Sequence, residues 1–208
     1  MRKPRTFDSL GQALADTAQY YRRALWLRAP VYMEIWLEKD ALAGTVFPVT
    51  SKYDVPLMVA RGYASLSFLH EAAETIAAEH RPCSILHLGD FDPSGVNAAE
   101  KIEQALRTYA PDADISFRRL AVTEEQISVL SLPSRPTKTS DSRAAGWGYR
   151  GSVELDAIDP NVLRAIVQEE IEALLPQHEL QVLQEAEISE RQLLRSIARN
   201  YRDEGEAA

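Results

Sequence analysis

The stretch Ser84-Ile-Leu-His-Leu-Gly-Asp-Phe-Asp-Pro-Ser-Gly-Val96 leaves this chain few ways to fold. With Cys83 ahead of it, Ile85, Leu86 and Leu88 make an apolar run that reads as a buried strand of a parallel sheet. The run ends in two carboxylates, Asp90 and Asp92, and then in Pro93-Ser94-Gly95, with Gly95 as the small turn residue. Val96, Ala99, Ile102, Ala105 and Leu106 follow at helical spacing. Open α/β sheets hold their ligands where a strand passes through such a turn into a helix, at the carboxyl ends of the strands. Two carboxylates one residue apart repel each other and lose hydration on approach, and a hard divalent cation relieves both effects. The alternative is a solvated loop whose aspartates cap the next helix. A third carboxylate, Glu38, closes Val31-Tyr-Met-Glu-Ile-Trp-Leu-Glu38, another strand-like run, and favours the metal reading.

The rest of the chain alternates in the same way. Strands are predicted over 31–37, 55–60 and 115–121, besides the one before Asp90. A short helix or turn is expected over 40–49, and a helix over 65–79 with Ser65 as N-cap. Thr123-Glu-Glu-Gln126 fits a capping box, and Pro160 suits the first turn of a helix reaching about residue 175. The pattern predicts an α/β protein: a central, mainly parallel sheet of about four strands, right-handed crossovers and flanking helices. Residues 6–28 carry a helical apolar stripe and form a lead-in. Residues 178–203 form an amphipathic C-terminal extension that docks on the sheet or binds a partner subunit, with Ser189-x-x-Gln192 as a second capping box restarting the helix. The expected organisation is a lead-in over 1–29, a domain over 30–175 and an extension over 176–208.

At 208 residues the chain can bury one sizeable core. No apolar run approaches a membrane span, and the basic N-terminus is not followed by the apolar segment of a secretory signal. The single cysteine, Cys83, excludes a disulfide within the chain and fits a reducing cytoplasm. A net charge of −8 disfavours nonspecific nucleic-acid binding by the whole surface, yet leaves room for a local basic track. The 132–151 segment, broken by Pro133, Pro136, Gly146, Gly148 and Gly151, is a long loop. It sets Arg135, Lys138, Arg143 and Arg150 against one acid, Asp141, with Trp147 and Tyr149 between them. Such a loop suits a phosphate backbone and stacked bases; the other reading is a solvated loop tucked down by Trp147. The four histidines show no metal-ligand spacing, and His87 within its strand reads as a packed or hydrogen-bonded residue. No P-loop, Gly-x-Gly-x-x-Gly or Gly-x-Ser-x-Gly is present.

Five blocks in order carry a resemblance: Glu38-Lys39-Asp40-Ala41, Ala60-Arg61-Gly62-Tyr63, Asp90-Phe-Asp-Pro-Ser-Gly95, Thr123-Glu-Glu-Gln-Ile127 and Val153-Glu-Leu-Asp-Ala157. The chain resembles the Toprim domain shared by topoisomerases, primases and some nucleases, and within it the topoisomerase VI A subunit and the related meiotic double-strand-break proteins. The resemblance implies a Rossmann-like Toprim fold and Mg²⁺, with Mn²⁺ as substitute, held by Glu38, Asp90 and Asp92, which are also the catalytic group. It points to DNA as partner, with Arg61, Arg135, Lys138 and Arg143 facing the phosphates. Glu154 and Asp156 are read as structural contacts. In that family a catalytic tyrosine sits in a winged-helix domain ahead of the Toprim domain. Here about thirty residues precede the first strand, too few for such a domain. Tyr20 and Tyr21 are therefore read as packing residues, one ring set against the sheet. The nucleophile is expected from water, or from a homodimer mate or partner subunit carrying a winged helix.

Three functions follow. The first is a Mg²⁺-dependent enzyme acting on DNA phosphodiesters. The second is a non-catalytic module that binds metal and a DNA end within a larger complex. The third is a haloacid-dehalogenase-like phosphohydrolase, whose Asp-x-Asp opens on the first strand rather than the third and which leaves Glu38 without a role.

Overall fold

The computed structural model describes residues 6–60, 64–137, 147–148, 151–175 and 177–206. Four strands, β1 (Tyr32–Leu37), β2 (Leu57–Val59), β3 (Cys83–Leu88) and β4 (Ile115–Ala121), form one sheet in the order β2-β1-β3-β4. Every neighbouring pair is parallel. The architecture is α/β and Rossmann-like. Side chains alternate across the pleat. Tyr32, Trp36, Cys83, Ile85 and Ile115 pack on one face beneath α3 (Leu66–Ala78) and α4 (Pro93–Tyr109), meeting Leu69, Ala73, Ile76, Ile102 and Leu106. Met33, Ile35, Leu37, Leu86 and Leu88 take the other phase of the pleat and are equally buried. A strand covered on both faces is apolar at most positions, so β1 and β3 read as near-continuous runs interrupted by Glu34 and by Ser84 and His87.

Local chemistry sets the helix starts. Ser65 Oγ accepts from Phe68 N–H at 3.3 Å to begin α3. Thr123 and Gln126 close a reciprocal capping box on α5 (Glu124–Val129). After β1 a 3-10 turn over Asp40–Leu42 leads into α2 (Ala43–Lys52), which carries Pro48 in its interior and outlasts the expected stop at residue 49. α2 packs against α6 (Pro160–Leu174). β2 is shorter than the 55–60 expected, for Pro56 serves only as an acceptor, its carbonyl taking Ile35 N–H at 3.0 Å.

Contacts divide the chain into two compact units: Arg28–Leu174, and the two chain ends up to Leu27 and from Leu175. In the second unit α1 (Leu10–Tyr20) packs on α7 (Gln177–Glu206). Lead-in and extension, read apart in the sequence, are thus partners of each other. Tyr21 Oη donates to Glu190 at 2.8 Å, and Arg191 Nε donates to the Tyr21 carbonyl at 2.7 Å. Tyr20 is 63% exposed. Tyr21 is therefore held by α7 through its hydroxyl. Ser189 lies inside α7, which runs on without a restart. A local Ser-x-x-Gln pattern caps a helix only where the preceding turn is not already helical. No helix among the described residues is long and apolar enough to cross a membrane.

Candidate functional site

The sheet brings the ends of β1 and β3 side by side, because Glu38 N–H donates to Leu88 O at 2.9 Å. Glu38 leaves β1 and Asp90 leaves β3, so parallel pairing alone makes these carboxylates neighbours. Glu38 Oε2 accepts from the Asp90 backbone N–H at 3.1 Å. Asp92 is the N-cap of α4, its Oδ1 accepting from Gly95 N–H at 2.7 Å. The capping role weighed as the alternative for the aspartates is thus real for Asp92. Gly95 sits where a side chain has no room: a Cβ would lie 2.5 Å from Asp90 O and 3.2 Å from Glu38 Oε2.

Asp90 reaches the other way. Its Oδ1 accepts from Leu155 N–H at 2.7 Å, ahead of a 3-10 turn over Leu155–Ala157. Lys39 Nζ stands 3.3 Å from the same oxygen, 3.3 Å from Glu154 Oε2 and 3.2 Å from Asp156 Oδ1. Glu154 and Asp156 are therefore contacts of an ammonium. Burial holds the Glu38 carboxyl above the ordinary carboxylate range, reinforced by the charges of Asp90 and Asp92. Burial also raises Asp90, against the pull of the Leu155 N–H and of Lys39. Burial alone would lower Lys39, but Asp90, Asp156 and Glu154 outweigh it and its pKa rises.

Arg119 escaped the sequence reading, whereas His87 is the packed residue expected there. Arg119 of β4 extends beneath the acidic turn, donating to the carbonyls of Gly89 at 2.9 Å, Asp90 at 3.0 Å and Gly95 at 3.1 Å. It fixes the turn's backbone while its charge faces Glu38, Asp90 and Asp92. The available signal was a charged residue in phase with Ile115 and Phe117, which face the core. His87 is 1% exposed, pairs in register with Trp36 and Arg119, and has its pKa pushed down to about 3 by burial and by Arg119. Its ring packs 5.9 Å from that of Phe117.

The described parts of the 132–151 loop lie against this turn. Val153 pairs with Phe91 and Ser152 with Arg135, both antiparallel. Trp147 packs its ring 5.2 Å from Phe91 and donates to Gly151 O at 3.0 Å. Trp147 itself is thus held against the acidic turn. Arg135 Nη1 lies 3.0 Å from Glu154 Oε1, one carboxylate removed from Lys39 and Asp90. Arg61, Lys138 and Arg143 lie outside the described residues.

Glu38, Asp90 and Asp92 offer only hard oxygen donors at one edge of the sheet, the chemistry Mg²⁺ selects. Among the described residues, however, no three Asp, Glu, His or Cys side chains are grouped to hold a metal ion as they stand. Each of the three has one oxygen on a backbone N–H, and Lys39 occupies the cationic position beside Asp90. Compared with known proteins, the chain matches no family model and no curated protein.

Proposed function

We propose that this chain is a Toprim-type protein that uses Mg²⁺ to act on DNA phosphodiesters, with Asp90 and Asp92 holding the cation and Glu38 completing the site. One observation carries the reading: Glu38 meets the Asp90–Asp92 turn at the carboxyl edge of an all-parallel sheet, close enough to accept the Asp90 N–H. Bound there, the cation would neutralise charge developing on the phosphate and steady the attacking or leaving oxygen. The chain's own residues prepare the place. Arg119 locks the turn's carbonyls, Gly95 lets α4 start against Asp90, and Lys39 balances the carboxylates until the cation arrives. Arg135, paired with Glu154 beside the turn, supplies a phosphate contact.

Tyr21 does not suit the role of nucleophile. Its phenol is bonded to Glu190, which raises its pKa. Cleavage is therefore hydrolytic or uses the nucleophile of a homodimer mate or partner subunit. A second reading is a metal- and DNA-end-binding module whose partner carries out the chemistry, favoured by a Tyr21 phenol already bonded to Glu190. Labelled supercoiled and linear DNA, incubated with the protein and Mg²⁺, Mn²⁺ or chelator, separates the two. Metal-dependent cutting with free ends supports the enzyme. Binding without cutting supports the module, and neither in any metal removes both. Arg135→Ala should reduce the salt dependence of DNA binding by about one phosphate contact.

A further inference from the structure

A buried polar atom without a partner is uncommon in folded proteins and marks a bound water, an ion or a functional demand. Among the described residues, Nδ1 of His87 is the one buried side-chain nitrogen or oxygen that makes no hydrogen bond. It lies at the edge of the sheet that carries the acidic turn. Gly89 explains how the imidazole comes close to a carboxylate. A Cβ on Gly89 would sit 2.5 Å from Glu38 Oε2, 2.5 Å from His87 Cε1 and 3.2 Å from His87 Nδ1. The two side chains thus crowd one point that only a glycine leaves open. In this arrangement Glu38 Oε2 takes the Asp90 N–H, and Nδ1 takes nothing.

Carboxylates that bind a metal are themselves held by hydrogen bonds from a surrounding layer of residues. Arg119 spends three of its five N–H groups on the carbonyls of Gly89, Asp90 and Gly95, and none of its hydrogen bonds reaches Glu38. Lys39 is committed to Asp90, Glu154 and Asp156. We propose that His87 is a positioning residue for Glu38, its Nδ1–H meeting the Glu38 carboxylate directly or through one buried water when the acidic turn carries its cation. A neutral imidazole orients the carboxylate without adding positive charge to a cation site. The inference rests on the metal reading above and goes beyond it by assigning a residue that never touches the metal.

The test uses the full chain and Mn²⁺ alone, followed by electron paramagnetic resonance and calorimetry. His87→Phe keeps the ring's packing on Phe117 and removes both nitrogens; His87→Gln restores an N–H donor. His87→Phe should keep its thermal midpoint or raise it, while its Mn²⁺ affinity falls about tenfold. His87→Gln should recover most of that loss. If His87→Phe binds Mn²⁺ as the unaltered protein does while Asp90→Asn has lost binding, the role of His87 is overturned and the metal reading stands. An equal loss in His87→Gln marks packing alone and also overturns it. Absence of Mn²⁺ binding by the unaltered protein overturns both. Should His87→Phe fail to fold, nitrogen-15 histidine spectra of the unaltered protein decide: Mg²⁺ should bring the His87 Nδ1–H into slow exchange with water, and an unchanged resonance sinks the proposal.

Discussion

Glu34 lies within β1 and Glu38 directly follows its last residue in the same phase of the pleat, yet the fold treats them oppositely. Glu34 is 1% exposed, and both its oxygens are satisfied by neutral donors, Tyr32 Oη at 2.8 Å and Trp36 Nε1 at 2.7 Å. Burial raises its pKa while those two hydrogen bonds pull it back down. Glu38 also has its pKa raised by burial, but its next neighbours are the like charges of Asp90 and Asp92. A carboxylate in the middle of a parallel strand survives only as part of a completed hydrogen-bond set. At the strand's end the same residue type can remain poorly compensated, in reach of a ligand. One is built for stability and the other against it, as expected of a site that keeps unfavourable charge for use.

The largest expected effect falls on Glu34. Glu34→Ala orphans a buried phenol and a buried indole N–H, at about 1–3 kcal/mol each, so urea denaturation should show a loss of about 3 kcal/mol. A loss below about 1 kcal/mol would erase the contrast with Glu38. Next comes Asp90→Asn, which should lower Mg²⁺-dependent DNA cleavage on the order of 100-fold while leaving the denaturation midpoint unchanged or higher. Parallel losses of activity and stability would mean that Asp90 is chiefly a structural acceptor for Leu155 N–H.

The third effect reads out with pH. Glu38 and Asp90 titrate above their unfolded values, so the folded state holds protons more tightly than the unfolded chain does. The stability this contributes is complete below the unfolded carboxylate range, about pH 4, and is lost as pH rises through the raised folded values. Glu38→Gln should therefore raise stability at pH 7 by about 1 kcal/mol and flatten the fall above pH 4. Mg²⁺ should raise the thermal midpoint of the unaltered protein at pH 7 and have no effect at pH 4. A Glu38→Gln variant less stable than the parent at pH 7 would place Glu38 with Glu34. The smallest effect concerns the internal cation. Lys39→Met removes the ammonium 3.3 Å from Asp90 and should tighten Mn²⁺ binding about fivefold by calorimetry. Weaker binding would mean that Lys39 holds the carboxylates in place rather than competing for them.

Features written within a few residues could be read from the sequence itself. The buried β3 run, the Ser65 cap, the Thr123–Gln126 box and the carboxylates at two strand ends all follow from periodicity or from hydrogen bonds spanning three or four positions. Where a local pattern met a longer context it misled, as Ser189 inside α7 shows. The surroundings of the acidic turn were decided only by the tertiary structure. Lys39 finds Glu154 and Asp156, Arg119 reaches three carbonyls of the turn, and His87 lies between Trp36 and Arg119 in register. These partners stand tens of residues away in the chain. Strand order and register bring them together, and those are settled by how a whole apolar face packs rather than by the residues that come to share the site.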